Sequence, residues 1–316
     1  MQLRPLGRSG LSISPICLGG NVFGWTADEK ASFAVLDAFV AGGGNFIDTA
    51  DTYSRWIPGN KGGESETIIG KWLKSRGNRD KVIIGTKVGM EMTPERKGLS
   101  KAHIIASVEQ QLKRLQTDVI DLYQSHKDDP DVPLEEPLEV YQELIKAGKV
   151  RAIGASNYSA TRLRQALDVS ARMGLPRYES LQPHYNLYER SGYEAETEAV
   201  CRTNEVGVTP YYGLASGFLT GKYRSEADFG KSPRGRGMSR FLNERGLRIL
   251  AALDEVAAKH KANPAQVALA WLIARPGITS AIASATSSTQ VEDLLAAGRL
   301  ALDAESIALL DQASAG

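Results

Sequence analysis

Short apolar runs alternate along this chain with longer stretches whose apolar residues recur every three or four positions. Eight short runs read as strands: PICLGG (15–20), NFIDTA (45–50), KVIIGTKV (81–88), VIDLYQSH (119–126), VRAIGAS (150–156), SLQ (180–182), GVTPYY (207–212) and SAIASA (280–285). They are too uniformly apolar for strands with one wet face and fit parallel strands covered on both sides. The intervening stretches carry helix signals. Ser100 stands at the N-cap of a segment in which Ile104, Val108, Leu112 and Leu115 share a face. Ser159 opens another, striped by Leu163 and Leu167 and stopped at Gly174, and Gly148 stops the stretch 134–149 in the same way.

Strands and helices alternating eight times predict an α/β fold, a (β/α)8 TIM barrel, which typically needs about 250 residues. All 316 residues read as one such domain (1–316), without a linker or low-complexity break. The turn signal GRSG predicts a hairpin at the N-terminus, placed at the barrel bottom. The surplus 221–243, rich in Gly and Arg, predicts a loop over the C-terminal rim. An open doubly wound sheet is the competing architecture, but LGGNVFG lacks the G-x-G-x-x-G spacing and AGGGNF precedes a strand rather than following one.

Composition narrows the classes further. Hydrophobic content of 42% and charged content of 24% are ordinary for a globular protein. A formal net charge of +1 supplies no field for nucleic acid or an acidic membrane. Two distant cysteines, Cys17 and Cys201, imply neither a disulfide framework nor a zinc site, and no other metal cluster is visible. The first residues lack an apolar signal core, and no run approaches the roughly 18 apolar residues of a membrane span. The expectation is a cytoplasmic protein, a monomer by default with an oligomer as the alternative.

In a barrel of this kind chemistry sits at the carboxyl ends of the strands. Reading those ends yields Asp48, Lys87, His126, Ser156–Asn157, Gln182 and Tyr211, with Tyr53 five residues beyond Asp48. The intervals Asp48–Lys87 and Lys87–His126 are both 39 residues, one βα unit each, so the three should sit on neighbouring strands. A lone Asp there is ordinarily a turn residue, a lone Lys solvated and a lone His structural; convergence on one rim changes the odds. A tyrosine near pKa ~10 holds its proton too firmly for easy exchange at neutral pH. A lysine ammonium beside it is expected to lower that value, an aspartate to hold the lysine, and a histidine to bond a substrate oxygen. The set is a proton donor for a carbonyl oxygen gaining charge. Ser156, Asn157 and Gln182 suit a carboxamide and Tyr211 offers a flat face, the requirements of a nicotinamide ring.

These motifs, in order and spacing, resemble the aldo-keto reductase family over essentially the whole chain. The carrying segments are NFIDTADTY with ESETIIGKWL, GTK (85–87), DLYQSH (121–126), IGASNYS (153–159), LQPHYN (181–186) and YYGLASGFLTGKY (211–223). The resemblance implies a catalytic tetrad of Tyr53 as acid, Lys87 and Asp48 as tuners and His126 orienting the carbonyl. It implies a nicotinamide cofactor held by Ser156, Asn157, Gln182 and Tyr211, with its pyrophosphate against Leu214, Ser216, Gly217, Leu219, Gly221 and Lys222, and Arg240 reaching toward the phosphates. In the last loop, Ser284, Thr286, Ser287, Gln290 and Asp293 fall where relatives bind the adenosine end. Here the sequence departs from the pattern: relatives commonly carry a basic residue or two for the 2′-phosphate of NADPH, and an asparagine where this chain has Leu294. NADPH is the expected cofactor, with NADH possible.

Trp25 and Trp56 are expected to wall a substrate pocket. Trp72 reads as core, His184 as structural, and His103 and His260 as surface residues. The implied activity is reduction of a small carbonyl substrate, an aldehyde or ketone, to an alcohol. The alternative is a nucleotide-binding regulatory subunit resembling the potassium-channel beta subunits. The enzyme is the expectation, since no extra N-terminal segment or partner-binding helix is evident in the sequence.

Overall fold

The computed structural model describes residues 1–315. A two-stranded antiparallel hairpin, β1 (Arg4–Pro5) and β2 (Ser12–Ile13), comes first. Eight parallel strands follow: β3 (Ile16–Gly19), β4 (Phe46–Asp48), β5 (Ile83–Val88), β6 (Ile120–Ser125), β7 (Val150–Ser156), β8 (Tyr178–Gln182), β9 (Gly207–Val208) and β10 (Ala281–Ala283). They pair in the order β10-β3-β4-β5-β6-β7-β8-β9. The ring closes between its ends: the Val208 carbonyl accepts from Thr279 N at 2.8 Å and the Pro210 carbonyl from Ile282 N at 3.0 Å. This is the (β/α)8 barrel.

Helices α1 (Glu29–Ala41), α2 (Glu64–Arg76), α3 (Lys101–Leu115), α4 (Glu135–Lys146) and α5 (Ala160–Met173) each lead from one strand to the next. The short α6 (Ser191–Glu194) and α7 (Thr197–Thr203) follow β8, and α8 (Glu244–His260), α9 (Pro264–Ala274), α10 (Ser288–Ala297) and α11 (Ala304–Ser314) complete the shell. α8 and α11 are additions that pack together, with Arg248 donating to the Ala313 carbonyl at 3.0 Å. No helix among the described residues is long and apolar enough to cross a membrane.

Local signals mostly act as read. Ser159 accepts from Arg162 N, and Gly174 (φ +64°) ends α5 in the left-handed region. Gly148 (φ +71°) turns the chain one residue past the α4 C-cap, Ala147. Ser100 is the exception: it holds the N-cap position but accepts no capping bond, and the Lys101 amide donates instead to Glu136 at 2.7 Å. The run 207–212 forms only a two-residue strand. Pro210 has no N–H for a ladder, and Tyr212 (φ +58°) turns the chain away. His260 is not a free surface group, since its Nε2 lies 3.0 Å from Ser306 Oγ; His103 is half-buried, its Nε2 buried without a partner. Trp72 is fully buried, and its indole donates to Asp37 at 2.8 Å.

Candidate active site

Alternate residues of each strand point into the barrel. The lower interior layer is apolar: Cys17, Phe46, Leu122, Ala152 and Ile282 pack with Leu6, Leu11 and Ile13 of the hairpin, which closes the barrel bottom. One layer up, the same parity delivers Asp48, Lys87, Gln124 and Gln182, none more than 2% exposed. Groups so buried are tolerated only when paired and hydrogen-bonded. Lys87 Nζ donates to Asp48 Oδ2 at 2.5 Å, to the Thr49 carbonyl at 2.8 Å and to the Tyr53 hydroxyl at 3.2 Å. Asp48 Oδ1 accepts from Gln124 Nε2 at 3.1 Å and Gln182 Nε2 at 3.0 Å. Two glycines make room for this. A Cβ on Gly85 would stand 3.1 Å from the Phe46 ring, and one on Gly154 would stand 2.3 Å from Ser180 Oγ and 3.1 Å from Gln124 Cγ.

The electrostatics correct one expectation. Burial alone would push the Lys87 ammonium down, but the Asp48 and Tyr53 oxygens more than offset it and the net shift is upward. Tyr53 also moves up: loss of solvent outweighs the attraction of Lys87, and Asp48 adds to the rise. Lys87 therefore does not bring the phenol below its ordinary value in this site. It limits the cost of a phenolate, while the resting phenol keeps its proton. Burial, then the Lys87 charge, holds His126 well below the usual imidazole range, so its ring is neutral. His126 Nδ1 has no hydrogen-bond partner among the described residues.

Tyr53 and His126 open onto a cavity of about 1500 Å³ at the carboxyl ends of the strands. Trp56 lies edge-on to Tyr53 (ring centroids 5.8 Å apart), with Trp25 beyond it at 5.7 Å. Both tryptophans line the cavity. Ser156, Asn157, Gln182 and Tyr211 line the same end. Asn157 (φ +58°) ties them together, donating to the His126 carbonyl at 2.9 Å and accepting from the Tyr211 hydroxyl at 2.7 Å. His184 stacks on Tyr211 at 5.3 Å and 14°, a supporting position. The Gln182 nitrogen is committed to Asp48 and Gln124, leaving its oxygen for a ligand.

Farther along, Leu214, Ser216, Gly217, Lys222 and Arg240 line the cavity, then Ser284, Thr286, Gln290 and Asp293. Ala215, Ser216 and Gly217 all have positive φ (+46°, +58° and +103°); the Ala215 and Gly217 amides donate to the Tyr212 and Leu214 carbonyls at 2.7 and 2.8 Å, and the Ser216 amide has no partner among the described residues. That turn and a cavity of this volume fit a dinucleotide. Three of the predicted cofactor residues lie outside the lining. Leu219 is buried in the core, Gly221 caps the turn, and the Ser287 hydroxyl caps α10 by accepting from Gln290 N.

Sequence reasoning missed Gln124, Asn21, Tyr212, Lys231, Arg234 and Asn263, which support or line this site. The signal for Gln124 was present: it precedes by two His126, which continues the β6 ladder one residue beyond the strand, and hence shares its face. Asn21, whose side chain accepts from Ser284 Oγ at 2.5 Å, and Arg234, on the rim loop, carried no periodic signal.

The model of the Aldo/keto reductase family matches residues 15–315. The chain is 34% identical to the Bacillus subtilis protein named aldo-keto reductase YhdN, covering 93% of this chain and 88% of that one. It is 33% identical to a probable voltage-gated potassium channel subunit beta of Oryza sativa (92% and 89%), and 30% identical to the L-glyceraldehyde 3-phosphate reductase of Escherichia coli O157:H7 (99% and 92%).

Proposed function

This chain belongs to the aldo/keto reductase family, a family of oxidoreductases, and from that premise we propose that it reduces aldehydes or ketones to alcohols with a nicotinamide cofactor, NADPH or alternatively NADH. The observation that carries the reading is the Tyr53 hydroxyl, 3.2 Å from the Lys87 ammonium and open to the cleft between Trp56 and His126. When bound along that cleft, the cofactor supplies the hydride that the carbonyl carbon accepts.

The chain's own residues do the rest. Tyr53 gives its proton to the carbonyl oxygen as negative charge gathers there, and Lys87, fixed by Asp48, stabilises the phenolate left behind. Neutral His126 donates a hydrogen bond to the same oxygen and orients it. Ser156, Asn157 and the Gln182 oxygen hold the carboxamide, Tyr211 covers the ring, and the Ser216 amide with Lys222 and Arg240 meets the phosphates. The aromatic walls exclude water.

Loss of reduced-nicotinamide absorbance with 4-nitrobenzaldehyde tests the reading. Tyr53→Phe should lower kcat by about 10²–10⁴ while dinucleotide binding, followed by fluorescence, survives. Equal turnover in both proteins would remove Tyr53 from the chemistry. A second reading draws on the potassium-channel-beta relative: the cleft would bind nucleotide for regulation. Tight nucleotide binding without turnover in the wild type would favour it.

A further inference from the structure

Lys222, Arg234 and Arg240 line the cleft with no carboxylate partner among the described residues, whereas Lys231 bridges Asp228 at 2.7 Å. Two of the three belong with the dinucleotide on the reading above. Lys222 flanks the 215–217 turn: its Nζ lies 3.7 Å from where a Gly217 Cβ would stand. Arg240 stacks on Phe241, 4.5 Å from the ring centre.

Arg234 stands elsewhere. Its guanidinium lies 5.0 Å over the Trp25 ring, and Trp25 continues through Trp56 to Tyr53. It therefore belongs to the wall around the proton donor. Tyr212 lines the same cavity as Tyr53 and Arg234. Only the backbone amide of Arg234 donates within the protein, to Ser232 Oγ at 3.2 Å, while its guanidinium has no partner among the described residues. An arginine stacked on an indole keeps its N–H edge free, and that edge matches a carboxylate or phosphate in two parallel bonds.

We propose that Arg234, set over the Trp25 ring, recognises an anionic group on the substrate, so that the carbonyl compounds reduced here carry a carboxylate or phosphate on a skeleton lying along Trp25 and Trp56. This rests on the reading that Tyr53 protonates the carbonyl.

The test compares 4-formylbenzoate and 4-formylphenyl phosphate with the neutral methyl 4-formylbenzoate at saturating cofactor. Dinucleotide Kd is measured alongside, for wild type, Arg234→Gln and Arg234→Lys. The wild type should favour an anionic substrate, and Arg234→Gln should cut that preference about 10–100-fold, mainly through KM, with the dinucleotide Kd unmoved. Arg234→Lys, keeping the charge without the fork, should retain part of it. Whichever anionic arm shows the preference names the anion. Equal use of anionic and neutral aldehydes by the wild type overturns the proposal, as does a weakened dinucleotide Kd in Arg234→Gln, which would assign the arginine to the cofactor. Dinucleotide binding without turnover of any aldehyde instead defeats the reductase reading itself.

Discussion

Asp48 is held at both oxygens, by an ammonium on one and two glutamine amides on the other. Removing one partner of such a buried pair typically costs about 3–5 kcal/mol, because it strands the other charge. Asp51, three residues on, contrasts with it. It is buried, and its Oδ1 has no partner among the described residues. Burial and the Glu66 carboxylate raise it to about 7, against the pull of Arg114, the Thr52 amide and Arg96. The folded state thus keeps a proton that the unfolded chain releases near ~3.9, so this residue's share of stability falls as pH rises from about 4 to about 7 and is level above. Asp51→Asn should gain on wild type across that window by up to about 1.4 kcal/mol per pH unit, read from urea midpoints. A stability difference that stays flat between those values would mean that Asp51 ionises normally. The strand ends, read from the sequence, pair Asp48 with Lys87 and say nothing of Asp51, whose environment depends on side-chain direction beyond the strand.

At the scale of elements, α2 and α3 carry the outer support of the site. Glu66 accepts from Thr86 at 2.5 Å, Gln111 at 2.8 Å and Arg114 at 2.7 Å, and Gln111 also donates to the Lys87 carbonyl at 3.0 Å. This network lies on the outer face of β5, opposite the face that projects the Lys87 side chain. The two helices approach closely at Gly70, where a Cβ would stand 2.1 Å from the Arg114 carbonyl oxygen. Gly70→Ala should therefore lower the melting temperature, with overpacking of about 1–3 kcal/mol exceeding the gain of about 1 kcal/mol in helix propensity. A raised melting temperature would show that the helices can separate freely. The periodicity of both helices was legible; their contact at a glycine was not, because it depends on a neighbour brought in by the fold.

Across the whole molecule, stability and chemistry occupy opposite ends of the barrel. The hairpin residues Leu6, Leu11 and Ile13 plug the bottom, and the cavity lies at the top. Leu6→Ala should cost about 2–5 kcal/mol in chemical denaturation while leaving kcat of the folded protein unchanged. A parallel fall in kcat would mean that the bottom layer also sets the geometry above it.

What the sequence by itself determined is periodic or local. Parallel strands buried on both faces wrote themselves as apolar runs, and the equal 39-residue intervals placed Asp48, Lys87 and His126 one unit apart because each βα unit repeats the last. Only the tertiary structure decided the rest. It closed the ring beyond Pro210 and laid Gln124 and Gln182 across to Asp48 through the space left at Gly85 and Gly154. It also raised Tyr53 rather than lowering it and set Arg234 against Trp25. Each of these depends on groups distant in the chain sharing a desolvated space, and no local pattern of residues encodes the energy of that meeting.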